Sequence, residues 1–304
     1  MHELSRREQR EIDRANDAGT GPVVFVHGLW LLASSWDAWR TLFEDAGYAT
    51  LAPGWPDDPE TVEEARRRPE LFAGKRVEQV TSHFADVIRR LDERPAIVGH
   101  SFGGLVAQQL AGMGRSSATV AIDPAPFRGV LPLPLAALRS AWPVLRNPAN
   151  VGRAVALGFP QFRYAWANAL DLAEARALYE THAVAGPGAP LFQAATANLN
   201  PRTAVRVDLA NPARGPLLVV SGEQDHTVPR AMAFAAYLRQ LRNPGVTKFV
   251  EVRRRGHSLT IDSGWREVAE LALAFVREHH VTTQVEAFGE ERPRTGPEGH
   301  APSP

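Results

Sequence analysis

The 304-residue chain has room for one large α/β domain with an insertion, or for two small domains. Hydrophobic residues at 44% and charged residues at 22% are ordinary for a globular protein, and a formal net charge of +0, from 34 basic and 34 acidic residues, gives no overall field to draw in nucleic acid or an anionic membrane. The absence of cysteine excludes disulfides, thiolate metal sites and a cysteine nucleophile.

Residues 1–20 are polar and mixed in charge, without the apolar core of a signal peptide, and read as a flexible arm, frayed or helical. No later stretch is long and apolar enough to span a bilayer, because Pro, Arg or Asp interrupts every candidate. A cytoplasmic protein with no membrane partner is therefore expected, and oligomeric state is left open. The basic residues are nearly all arginine, with lysine only at Lys75 and Lys248; scattered among acids, they read as a coding bias and not as a binding surface.

Along the chain, short β-rich runs fall at residues 23–26, 48–52, 96–98, 119–122, 217–220 and 248–252. Helical patterns fall between or after them at 36–46, 76–91, 102–112, 230–241 and 263–279. Uniformly apolar strands alternating with amphipathic helices predict an α/β fold, with a mostly parallel sheet covered on both faces. Right-handed crossovers then bring the strand C-terminal ends to one edge, where the sites of open α/β sheets form. The alternation breaks over 128–208, which is helical, proline-punctuated and rich in aromatics, and reads as a helical lid inserted after the fourth strand. The expected organisation is an arm at 1–20, a core at 21–127 and 209–280, a lid at 128–208, and a disordered Pro-, Gly- and Glu-rich tail at 281–304.

Four motifs carry chemistry, and the strongest is PAIVGHSFGGLVAQQ at residues 95–109. An apolar strand runs into Gly99-His100-Ser101-Phe102-Gly103 and then into a helix, the context a G-x-S-x-G nucleophile elbow requires. So tight a turn strains the backbone of Ser101 and leaves no room for side chains at Gly99 or Gly103, while lifting the hydroxyl to the top of the sheet. The N–H of Phe102, at a helix N-terminus, is then ready to donate to an oxyanion. In VVFVHGLW, residues 23–30, a buried strand ends at His27-Gly28, and His27 reads as a structural brace. In GPLLVVSGEQDHTVP, residues 215–229, Asp225 follows a strand and is placed either to accept from an imidazole or to cap the next helix. Asp123 in AIDPAP also follows a strand, but reads as turn chemistry before two prolines. In KFVEVRRRGHSLTID, residues 248–262, His257 follows the last strand, whereas His100 is expected to point away from the elbow tip.

These motifs, in the order Ser, Asp, His, resemble the α/β-hydrolase superfamily over roughly residues 23–279, within its serine carboxylesterase and non-haem chloroperoxidase-like branch. The antiparallel strands that usually precede the His-Gly strand are not evident before residue 22. The resemblance implies a Ser101–Asp225–His257 triad, with the N–H groups of Leu29 and Phe102 as oxyanion donors. It also implies hydrolysis of a small-molecule carboxylic ester through an acyl-enzyme, with no metal or organic cofactor and with peracid formation as a side reaction. Relatives that open epoxides or displace halides carry Asp at the elbow, so Ser101 argues against those reactions. Trp30, Phe127, Trp142, Phe159 and Phe162 are candidates to line an apolar pocket for a small or medium acyl group. The rival readings are lactone, thioester or carbon–carbon hydrolysis or acyl transfer on the same triad, and a non-catalytic small-molecule binding protein.

Overall fold

Strand β1 (Pro22–Val26) shows how the core is assembled, because all five of its residues are buried. With side chains alternating along a strand, Val24 and Val26 join one apolar cluster and Val23 and Phe25 the other. The same division recurs at β3 (Ala96–His100), β4 (Thr119–Ile122) and β7 (Leu217–Gly222), where odd and even positions feed opposite faces. A strand apolar on both sides needs cover on both, and helices supply it. Helices α2 (Asp37–Asp45) and α11 (Trp265–His279) pack on one face, and α4 (Val77–Ile88), α5 (Phe102–Gly112) and α10 (Arg230–Gln240) on the other.

The structure is a computed structural model that describes residues 4–280; the tail expected over 281–304 lies outside them. With β2 (Ala49–Leu51) and β8 (Thr247–Val252), the sheet has six strands in the order β2-β1-β3-β4-β7-β8, and every neighbouring pair is parallel. The chain passes from β1 outward to β2 and returns to β3 on the other side of β1. That reversal opens a crevice beyond the C-terminal ends of β1 and β3, the place where open α/β sheets bind ligands. No helix among the described residues is long and apolar enough to cross a membrane.

Of the two forms expected for residues 1–20, frayed or helical, the described residues take the helical one, and the helix is docked. Helix α1 (Arg6–Ala18) starts at a capping box between Ser5 and Glu8 and docks against edge strand β2. Glu11 accepts the Ala52 N–H at 3.1 Å, while Arg7 and Arg14 donate to the carbonyls of Ala52 (2.9 Å) and Thr50 (3.1 Å). The helix thus satisfies edge groups that a further strand would otherwise pair, and among the described residues no strand precedes β1.

The segment between β4 and β7 holds α6 (Leu135–Leu145), α7 (Phe159–Ala165), α8 (Leu172–His182) and α9 (Ala189–Ala195). It is not wholly helical. Strands β5 (Ala154–Val155) and β6 (Gly186–Pro187) form a two-residue antiparallel ladder, too short to leave a period in the sequence. A further short helix, α3 (Val62–Arg67), capped by Thr61, lies between β2 and α4 and was not expected.

Candidate active site

Ser101 stands where β3 turns into α5, at φ 58° and ψ −122°, a left-handed conformation that L residues rarely adopt. The turn closes only because its neighbours lack side chains. A Cβ on Gly99 would lie 2.2 Å from the Gly103 carbonyl oxygen, and one on Gly103 would lie 2.0 Å from that of Val26. The loop after β1 is equally close, since a Cβ on Gly28 would come within 2.8 Å of the Ser101 Cβ. His27 braces this loop: its ring stacks on Trp55, Nδ1 meets the Gly28 carbonyl at 2.9 Å, and Nε2 lies 3.3 Å from Asp58, which is itself paired with buried Lys75.

Asp225 follows β7, and its Oδ1 accepts the N–H groups of Thr227 (2.6 Å) and Val228 (2.9 Å). Its Oδ2 lies 2.6 Å from Nδ1 of His257, in the turn after β8, and Nε2 of His257 is 3.0 Å from the Ser101 hydroxyl. The three elements bring together three buried side chains in one continuous hydrogen-bonded line. This geometry lets the imidazole take the serine proton while a carboxylate steadies the cation that forms.

Two further groups complete the electrostatics. His100 is fully buried, with its ring 4.6 Å from that of His257; burial and then the neighbouring imidazole hold it well below the usual histidine range, so it stays neutral. It packs on His257 instead of pointing away. Asp123 is buried beside Asp225, with φ 39° and its Oδ1 accepting the Gly222 N–H at 2.8 Å. Burial, then the charge of Asp225 and the hydrogen bond between the two carboxyls, push Asp123 well above the carboxylate range. Burial would raise Asp225 as well, but the His257 charge and its hydrogen bond, with help from Asp123 and Val228, hold it below that range. Asp123 is therefore held protonated beside an ionised Asp225. Sequence reading gave Asp123 only a turn role. Its partner lies on another strand, so no local pattern could reveal it.

His100, Asp123 and His257 also offer atoms within 4.8 Å of one another, a spacing a cation could bridge. Both ring nitrogens of His257 already face Asp225 and Ser101, so a cation there would compete with those contacts.

The sequence of residues 23–271 matches the family described as "Alpha/beta hydrolase family". The chain belongs to the α/β-hydrolase family. No curated protein matches this hydrolase. Its fold is similar to an extracellular α/β-hydrolase from a Paenibacillus species, at 22% identity and a TM-score of 0.61 over 84% of this chain and 98% of that one. It is likewise similar to a thermophilic esterase from Thermogutta terrifontis (19%, 0.61, over 86% and 92%) and to a monoacylglycerol lipase from Paleococcus ferrophilus (18%, 0.58, over 85% and 95%).

In this hydrolase a cavity of about 130 Å³ opens on Ser101 and Phe102. None of the five aromatics expected in a pocket lines it. Phe127 and Phe162 are buried in the core, Phe162 stacking on Trp166. Phe159 packs on Tyr179 and under Arg176, Trp30 donates to the Val155 carbonyl, and Trp142 faces outward. The walls are aliphatic, with Ala137, Leu138 and Ala141 from α6, Leu191 and Ala194 from α9, and Val228. Alanines at i and i+4 on α6 were the available signal, overshadowed by the aromatics. One aromatic of the insertion does reach His257: Trp166 packs edge-on against it, with ring centroids 4.7 Å apart.

Proposed function

We propose that this α/β-hydrolase is a serine carboxylesterase that cleaves small apolar esters through an acyl-enzyme. The observation that carries the reading is the unbroken line from Ser101 through His257 to Asp225, at 3.0 and 2.6 Å. His257 Nε2 takes the proton of Ser101 as Oγ attacks the ester carbonyl, and the N–H groups of Leu29 and Phe102 hold the oxyanion. His257 then protonates the departing alcohol. Water repeats the sequence on the acyl-enzyme and regenerates Ser101.

The segment over 128–208 acts in this reading as a lid that walls the acyl site and buries His257 beneath Trp166. A cavity of about 130 Å³ is well below the roughly 300–1,000 Å³ of drug-sized ligand sites. Its aliphatic lining therefore favours a short, unbranched acyl chain over an aromatic one.

A fluorophosphonate probe and a panel of nitrophenyl esters of rising acyl length test this. The wild type is expected to be labelled and Ser101→Ala not, with kcat/KM highest for short acyl chains. Absence of labelling in both proteins overturns the enzyme assignment. Labelling together with a preference for lactones overturns the ester assignment alone.

A further inference from the structure

The insertion carries an unusual pairing of exposed apolar side chains with unopposed positive charge. Across residues 124–170 there are five arginines, at 128, 139, 146, 153 and 163, and no Asp, Glu or Lys. The interleaving with acids seen elsewhere in the chain fails here, so these arginines are more than a coding bias. All five are exposed, and none forms an ion pair among the described residues.

The apolar half of the pairing lies in the same segment. Just before α6, Leu131 and Leu133 alternate with prolines, and both side chains are exposed. Leu131 is 75% exposed, Leu135 84% and Trp142 62%. On α6, Leu135, Leu138 and Trp142 recur at i, i+3 and i+7, opposite buried Ala137, Ser140 and Val144. At about 100° per residue, Arg139 and Arg146 fall within about 60° of Leu135 and Trp142, on the same solvent face. Isolated exposed leucines need no explanation, whereas a contiguous apolar face does. Leu133 and Leu138 belong both to this face and to the wall of the cavity at Ser101, so the face is continuous with the mouth of the candidate site.

We propose that this face docks on the surface of an anionic phospholipid bilayer, with the leucines and Trp142 entering the headgroup boundary and the arginines facing lipid phosphates. A helix with apolar and aromatic residues beside arginines has the composition of an interfacial element. The charge pattern selects the anionic bilayer as occupant, because a second copy of this chain would bring its own arginines against these. Docking in this orientation opens the cavity toward the membrane, where apolar esters concentrate. It is a binding property, and Ser101→Ala retains it whether or not the reaction proposed above is correct.

The test is co-sedimentation of the full chain, as wild type and as Ser101→Ala, with vesicles of phosphatidylcholine alone or mixed with phosphatidylglycerol. Both proteins are expected to sediment with the mixed vesicles, to bind neutral vesicles far less, and to be released by salt. Arg139→Gln with Arg146→Gln should weaken binding about fivefold per arginine. Leu131→Ser with Leu135→Ser should weaken it on the order of tenfold, and both double variants should keep wild-type turnover of a soluble ester. Equal binding by the variants, no binding to mixed vesicles, or a dimer in sedimentation velocity that Leu135→Ser dissolves would each overturn the proposal.

Discussion

Asp123 and Asp225 present two buried carboxyls to each other, and only one of them can be charged. The folded chain holds on Asp123 a proton that the unfolded chain releases as pH rises through 3.8, so this residue makes stability fall with rising pH above that point. While one extra proton is held, the slope is at most about 1.4 kcal/mol per pH unit. Asp123→Asn reproduces the uncharged group, still accepting from Gly222, without the titration. Thermal melts are expected to show this variant more stable than the wild type at pH 7, with the gap closing as pH falls toward 4, and kcat should stay within a few-fold. Asp123→Ala removes the carboxyl and should lower kcat about tenfold while leaving KM unchanged. A stability gap that does not change with pH would refute the protonated state. The contrast between Ser101 and Asp123 shows what sequence exposes at this scale. Ser101 is flagged by glycines at fixed offsets whose absent side chains the turn demands, whereas Asp123 matters through a residue on another strand.

Among elements, helix α1 carries the clearest demand on one residue. Glu11 accepts from the edge amide of Ala52 and pairs with Arg40 at 3.0 Å and Arg7 at 3.3 Å. Glu11→Ala strands the amide and takes from Arg7 and Arg40 their shared carboxylate, and should cost about 1–3 kcal/mol, a loss of several degrees in Tm. Glu11→Gln keeps an acceptor for the amide and should lose less. An unchanged melting temperature in the alanine variant would mean that α1 does not seal the sheet edge. The central strands were legible because burial on two faces requires unbroken apolar runs, and α2, α4 and α11 each showed one apolar stripe. The docking of α1 was not legible, since its contacts reach Thr50 and Ala52 through polar side chains that leave no periodic mark. The aromatics of the insertion misled for a related reason: an aromatic at helical spacing reads alike whether it packs inward or lines a cavity.

For the molecule as a whole, the proposed machinery and the cavity wall come from two stretches of chain. Ser101, Asp225 and His257 hang from the ends of strands whose spacing the parallel ladders fix, and Gly28 leaves no slack beside Ser101. Much of the cavity wall instead comes from α6 and α9, inserted between β4 and β7. The two therefore behave as separable modules. Grafting residues 128–208 from a relative with a wider chamber onto this sheet should leave probe reactivity at Ser101 intact while moving the optimum acyl length, as read from kcat/KM across an ester series. A graft whose optimum stays put would show that the sheet itself sets the choice. Variation in that one stretch gives this scaffold room to diversify its diet without rebuilding its teeth.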